Sequence, residues 1–115
     1  MQFLTQLSNN LYSNLKKKMA LVDIILPNFN KEKYIKETID SILNQSFKDF
    51  NLFIIDDNSI DNSVKVIEKY SDKRINFIKL KKNKGVYFCR NFGMRISKSK
   101  YISFIDADDY WDGNK

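Results

Sequence analysis

The spacing of apolar and polar positions along this chain changes period six times. Residues 21–26, "LVDIIL", form a short apolar run closed by Pro27. Proline has no N–H to give a continuing ladder, so the run predicts a strand ending there. In "KEKYIKETIDSILNQ" (31–45), Tyr34, Ile35, Ile39, Ile42 and Leu43 fall at helical spacing, with Asn30 placed as N-cap. "NLFIID" (51–56) predicts a second strand. "SIDNSVKVIEKY" (59–70) follows as a helix, with Val64, Ile67 and Tyr70 on one face and Ser59 as N-cap. "RINFIKL" (74–80) predicts a third strand and "KKNKG" a loop ending at Gly85. "VYFCRNFGMRIS" (86–97) predicts a helix that tolerates Gly93, and "YISFID" (101–106) a fourth strand.

The resulting order is βαβαβαβ. Strands that alternate with helices and are apolar on both faces predict an α/β fold, a parallel sheet of about four strands with helices on both sides. In such sheets ligands bind beyond the carboxyl ends of the strands. Those ends carry "PNFN", "DDNSID", "KKNKG" and "DADDYWD". Hydrogen-bonding side chains dominate three of them, and two are acidic.

Residues 1–19 differ from the rest. Leu4, Leu7, Leu11 and Leu15 make one helical stripe, followed by Lys16 to Lys18 where cations suit a helix dipole. Three readings stand: an interfacial anchor on an anionic membrane, a helix docked elsewhere, or a leader upstream of Met19. The expected division is therefore a leader over 1–19 and one domain over 20–115.

Composition narrows the chemistry. The chain has a single cysteine, Cys89, and no histidine. An internal disulfide, a cysteine-cluster metal site, histidine acid–base catalysis and histidine-ligated zinc are thereby excluded. Carboxylates, amides, hydroxyls and lysines remain. The net charge of +6 suits an anionic partner, although a lysine- and asparagine-rich coding bias gives the same number. The lysines are scattered except at Lys79 to Lys84, without stacking aromatics, so a nucleic-acid partner is not expected. No apolar run approaches the ~20 residues of a membrane span. At the N-terminus the charges follow the apolar residues, against the order of a secretory signal. A cytoplasmic protein, at the inner face of the membrane if the first helix anchors it, is expected.

Asp56 and Asp57 on one strand, with Asp106, Asp108 and Asp109 on another, would converge at one rim of the sheet. Carboxylates ~4 Å apart repel by about 4 kcal/mol at an effective dielectric near 20. Either some protonate, or they point apart, or a hard cation such as Mg²⁺ or Mn²⁺ lies between them. A few carboxylates hold such a cation together with substrate phosphates. Only three glycines are present, Gly85, Gly93 and Gly113, so no glycine-rich phosphate cradle exists. Alone, Asp56 to Ser59 would serve as a turn and helix cap, and Asp106 to Asp109 as the cap of a following helix. Their joint placement favours a site.

The combination "ILPNFNKEKYIKETIDSILNQSFKDFNLFIIDDNSIDNS … NKGVYFCRNFGM … KSKYISFIDADD" resembles the N-terminal half of a family 2 glycosyltransferase with the GT-A fold, over about residues 20 to 112. The resemblance implies a Rossmann-like GT-A half domain. It also implies transfer of a sugar, with inversion, from a nucleotide-diphosphate donor, a UDP-sugar, to an acceptor hydroxyl on a glycan or lipid-linked molecule. Carried over residue by residue, Pro27 and Phe29 line the nucleoside pocket, and Phe29 lacks the hydroxyl of the family's more frequent tyrosine. Asp57, with Asp56, binds the base. Asp106 and Asp108 match the D-x-D that binds ribose and metal, with Asp109 assisting. Arg90 either approaches the diphosphate or makes a structural ion pair. The family's catalytic base lies well beyond the D-x-D, so it is expected beyond Lys115, and the chain reads as a truncated donor-binding portion. Such a portion would expose Phe104, Tyr110 and Trp111. The rival readings are a non-catalytic nucleotide-binding remnant and a Mg²⁺-dependent phospho-acceptor domain. The latter wants its acidic pair after the first strand, where "PNFN" stands.

Overall fold

The computed structural model describes residues 20–109. The leucine-striped segment 1–19, and Tyr110, Trp111 and Asp112, lie outside the described residues. Seven elements follow in order: β1 Val22–Asn28, α1 Ile35–Leu43, β2 Phe50–Asp56, α2 Ser63–Glu68, β3 Ile75–Lys79, α3 Val86–Ile96 and β4 Tyr101–Phe104. All strand pairs are parallel, in the order β3-β2-β1-β4. The chain thus winds outward from β1 to β3 and then returns across β1, so the winding reverses between β1 and β4.

Strand alternation builds two cores, one on each face. Ile24, Leu26, Leu52 and Ile54 meet Ile35, Ile39 and Ile42 of α1 and Ile67 of α2. Ile25, Phe53, Ile55 and Ile78 meet Cys89, Phe92 and Ile96 of α3. Each fully buried aliphatic side chain here contributes about 1.5–3 kcal/mol. Gly93 does more than the tolerated interruption expected of it. A Cβ there would lie 2.5 Å from Ile25 Cγ2, so its absence lets α3 seat directly on β1.

Several boundaries differ from expectation, each for a local reason. Pro27 does not end β1, which runs to Asn28. Ile25 bonds toward β4, accepting from Ile105 N–H. Pro27, two residues on, faces the same edge, where β4 has already stopped at Phe104, so no ladder bond needs its missing N–H. Asn30 is not the cap of α1. It adopts a left-handed φ of 53°, and its Oδ1 accepts from Ile60 and Asp61 N–H, tying two loops together. Ser59 likewise caps nothing. It bonds to Asp56, and α2 starts only at Ser63, whose N–H is held by Asp61.

β4 is shorter than expected and is not a buried strand. It lies at the sheet edge with Tyr101, Ile102 and Phe104 exposed. The expected exposure of Phe104 is therefore present. Far from the site, the fully buried Asp23 carboxylate accepts from Ser97 and Ser99 hydroxyls at 2.6 and 2.7 Å and pins the α3–β4 connection. Among the described residues no helix is long and apolar enough to cross a membrane.

The close α3–β1 packing gives a first test. Gly93→Ala should lower stability by about 1–3 kcal/mol through overpacking, read as a reduced urea midpoint with unchanged slope. An unchanged midpoint would show that Ile25 simply moves aside.

Candidate nucleotide-binding site

The reversal of winding places the loops after β1 and β4 side by side, with the loop before α3 closing the third side. Between them lies a cavity of about 430 Å³. Pro27, Phe29, Asp57, Asp106 and Asp108 line it, so five of the residues singled out from sequence meet there. Asn28, Lys31, Asn83 and Cys89 also line it and were not singled out. Asn28 ends β1, Lys31 and Asn83 lie in loops, and Cys89 is in the first turns of α3; asparagines and lysines are too common in this chain to stand out by type.

Asp56 and Asp57 go to opposite faces, because successive side chains of a strand do. Asp56 shares the face of Leu52 and Ile54 and is fully buried. Its Oδ1 accepts from Asn28 Nδ2 at 2.8 Å and Ser59 Oγ at 2.6 Å, and its Oδ2 from Ser59 N–H at 2.8 Å. It does not line the cavity. Of the two aspartates expected at the base, the structure thus brings only Asp57 to the cavity, and the oxygens of Asp56 fasten β1 to the turn after β2.

Asp57 turns toward α3. Its Oδ1 accepts from Lys84 N–H at 2.6 Å and its Oδ2 from Gly85 N–H at 2.8 Å. Its carbonyl accepts from Asn83 Nδ2 at 3.2 Å. Both amides belong to the loop that leads into α3, so a carboxylate at the end of β2 fixes where that helix begins. Gly85 sits at φ 94°, where a Cβ would be strained even though space is open. The Cys89 thiol also hydrogen-bonds the Asp57 carboxylate. Burial, with Asp57 and Asp56 nearby, pushes the Cys89 thiol up to about 12. The sulfur at the cavity wall is therefore a neutral thiol near pH 7, unsuited to nucleophilic work.

The acidic turn after β4 is held from α1. The buried Thr38 hydroxyl reaches the carbonyl oxygens of Ala107, at 2.7 Å, and of Asp109. Asp109 N–H closes the turn on Asp106 O at 3.0 Å. Within it Asp106 is paired with Arg90 at 2.9 Å and Asp108 with Lys31 at 3.5 Å. Arg90 does not line the cavity but stands behind Asp106. Asp109 does not line it either. No three acidic side chains among the described residues gather as a metal-binding group, so the expected trio of Asp106, Asp108 and Asp109 is not assembled. Asp106 and Asp108, half-exposed oxygen donors on one wall, match the partial ligand set that Mg²⁺ or Mn²⁺ takes alongside phosphates.

Comparison with known proteins agrees with this geometry. The family model described as glycosyl transferase family 2 matches residues 23–115. WfaP of Escherichia coli, a UDP-Glc:alpha-D-GlcNAc-diphosphoundecaprenol beta-1,3-glucosyltransferase, is 41% identical over 81% of this chain and 37% of its own length. TarP of Staphylococcus aureus, a poly(ribitol-phosphate) beta-N-acetylglucosaminyltransferase, is 44% identical over 79% of this chain and 29% of its own. The crystal structure of S. aureus TarS 1-349 in complex with UDP superimposes with a TM-score of 0.75 at 31% identity, over 81% of this chain and 29% of that one. The chain thus spans well under half the length of these relatives.

The Asp57 clamp predicts a local effect. Asp57→Ala should speed hydrogen exchange at the Lys84 and Gly85 amides by about tenfold or more, the loss of a charge-assisted bond each. Exchange at the strand amides of Leu52 and Ile54 should change far less. Uniform acceleration at all of these positions would mean that Asp57 acts on global stability instead.

Proposed function

The chain belongs to glycosyl transferase family 2, and on that premise we propose that residues 20–109 hold the nucleotide-sugar donor of an inverting transferase. The acceptor is a hydroxyl of a glycan or of a lipid-linked saccharide. The observation that carries this reading is the convergence of Pro27, Phe29, Asp57, Asp106 and Asp108 on one cavity at the switch between β1 and β4.

The chemistry follows from what each group offers. The Phe29 ring, 44% exposed on the cavity rim, is a face for a base to stack upon. Asp57, fixed by two amides and the Cys89 thiol, offers its remaining acceptor capacity to a base N–H. A uracil supplies one such donor, and WfaP and TarS, a transferase from UDP-Glc and a protein crystallised with UDP, support a uridine donor. Asp106 and Asp108 would hold Mg²⁺ or Mn²⁺, which when bound supplies Lewis-acid stabilisation of the charge developing on the departing diphosphate. Arg90 supports that charge from behind Asp106. A donor fixed along its whole length offers its anomeric carbon to in-line attack. Deprotonation of the acceptor needs a carboxylate on the opposite side, and no described residue is assigned that part.

Calorimetric titration with UDP, with and without Mn²⁺, tests the assignment. Wild-type binding should strengthen with Mn²⁺. Asp108→Ala should lose about ten- to a hundredfold of the Mn²⁺-dependent affinity, the worth of one charged contact, while uridine affinity stays level. Binding of UDP that ignores the metal would remove Asp106 and Asp108 from this role.

A further inference from the structure

The cavity wall carries three carboxylates, Asp57, Asp106 and Asp108, against one cation, Lys31. Such a wall repels a diphosphate, so the sign of the local charge must change when one binds. Lys31 is placed to take part in that change. Its backbone is fixed, because its carbonyl accepts from Tyr34 and Ile35 N–H and so starts the turn into α1. Its side chain crosses the switch crevice to a residue 77 positions away, Asp108, at a long 3.5 Å. Both partners are nearly half exposed. A contact of that kind is worth little, in contrast to the short Arg74–Asp72 pair at 2.8 Å, which is largely buried.

We propose that Lys31 is a diphosphate-binding residue which, in the empty site, serves as the counter-ion of Asp108. This rests on the donor-site reading above. In the empty site the Lys31 ammonium offsets the Asp108 charge and competes with any divalent cation for that carboxylate. When cation and nucleoside diphosphate enter together, Lys31 gives up Asp108 and its ammonium becomes free for a phosphate oxygen. The pair therefore couples the two ligands: metal alone meets a competitor, and metal with diphosphate does not. No sequence pattern marks Lys31, since its partner lies on another strand end.

A substitution with opposite effects on the two ligands tests this. The Lys31 side chain is nearly half exposed and its ion pair long, so Lys31→Met should fold as wild type, checked by its melting curve. Free Mn²⁺, counted by its electron paramagnetic resonance signal, should show Lys31→Met binding Mn²⁺ alone about two- to fivefold more tightly, the worth of a surface ion pair removed. UDP at saturating Mn²⁺ should bind about tenfold more weakly, the worth of one charged contact to phosphate. Uridine affinity should not move, and Lys31→Arg should restore most of the UDP affinity. If wild type shows Mn²⁺-dependent UDP binding and Lys31→Met shifts both ligands in one direction or neither, the Lys31 assignment falls while the donor site stands. If wild type binds no UDP with Mn²⁺, both fall together.

Discussion

β1 is bonded along both edges, to β2 and to β4, and the architecture of the site follows from that constraint. Buried backbone groups of a central strand must be paired, so the register on each side is fixed: Asn28 stands beside Asp56 on one edge and Ile25 beside Phe104 on the other. With β4 ending early, the chain beyond it leaves the sheet beside Pro27 and brings Asp106 to Asp108 against Phe29 and Lys31. The crevice is a consequence of pairing, not of any one loop's preference.

Around that crevice polar groups are divided between holding the frame and facing the ligand. Asp56, Asn28, Ser59 and Asn30 knit the turns after β1 and β2. Thr38 holds the acidic turn from α1, and Asp57 holds the start of α3. What remains exposed to the cavity is a small set: an aromatic face, acidic oxygens and one ammonium. Rigid support behind a few free groups is the arrangement that binding with defined orientation requires.

Much of this was legible in the sequence. The βαβαβαβ order and the two-faced burial followed from apolar periodicity, and the strand-end rule then found five of the cavity residues. The family came from a resemblance carried by those motifs together, and the match over residues 23–115 bears the family out. Alternation along β2 already separated Asp56 from Asp57, since Leu52, Ile54 and Asp56 share one parity and Phe53, Ile55 and Asp57 the other. Reading the pair as a unit obscured that. Other features depended on partners distant in sequence. Asn30 and Ser59 resemble helix caps locally, yet each is engaged by the other's loop, Asn30 Oδ1 by Ile60 N–H and Ser59 Oγ by Asn30 N–H. Lys31 and Thr38 find their partners only in the turn after β4, 77 and 69 residues away.

The central claim is that one rim of the sheet, at the switch between β1 and β4, holds a nucleoside diphosphate with its cation. Amide resonances of the ¹⁵N-labelled chain, followed during addition of UDP and then substoichiometric Mn²⁺, test it most directly. UDP should shift Asn28 to Lys31 and Asn83 to Val86, and Mn²⁺ should broaden Asp106 to Asp109 first. Ser97 to Ser99 and Asp23, at the opposite end of the sheet, should be untouched. Broadening centred anywhere other than the turn after β4 would contradict the account.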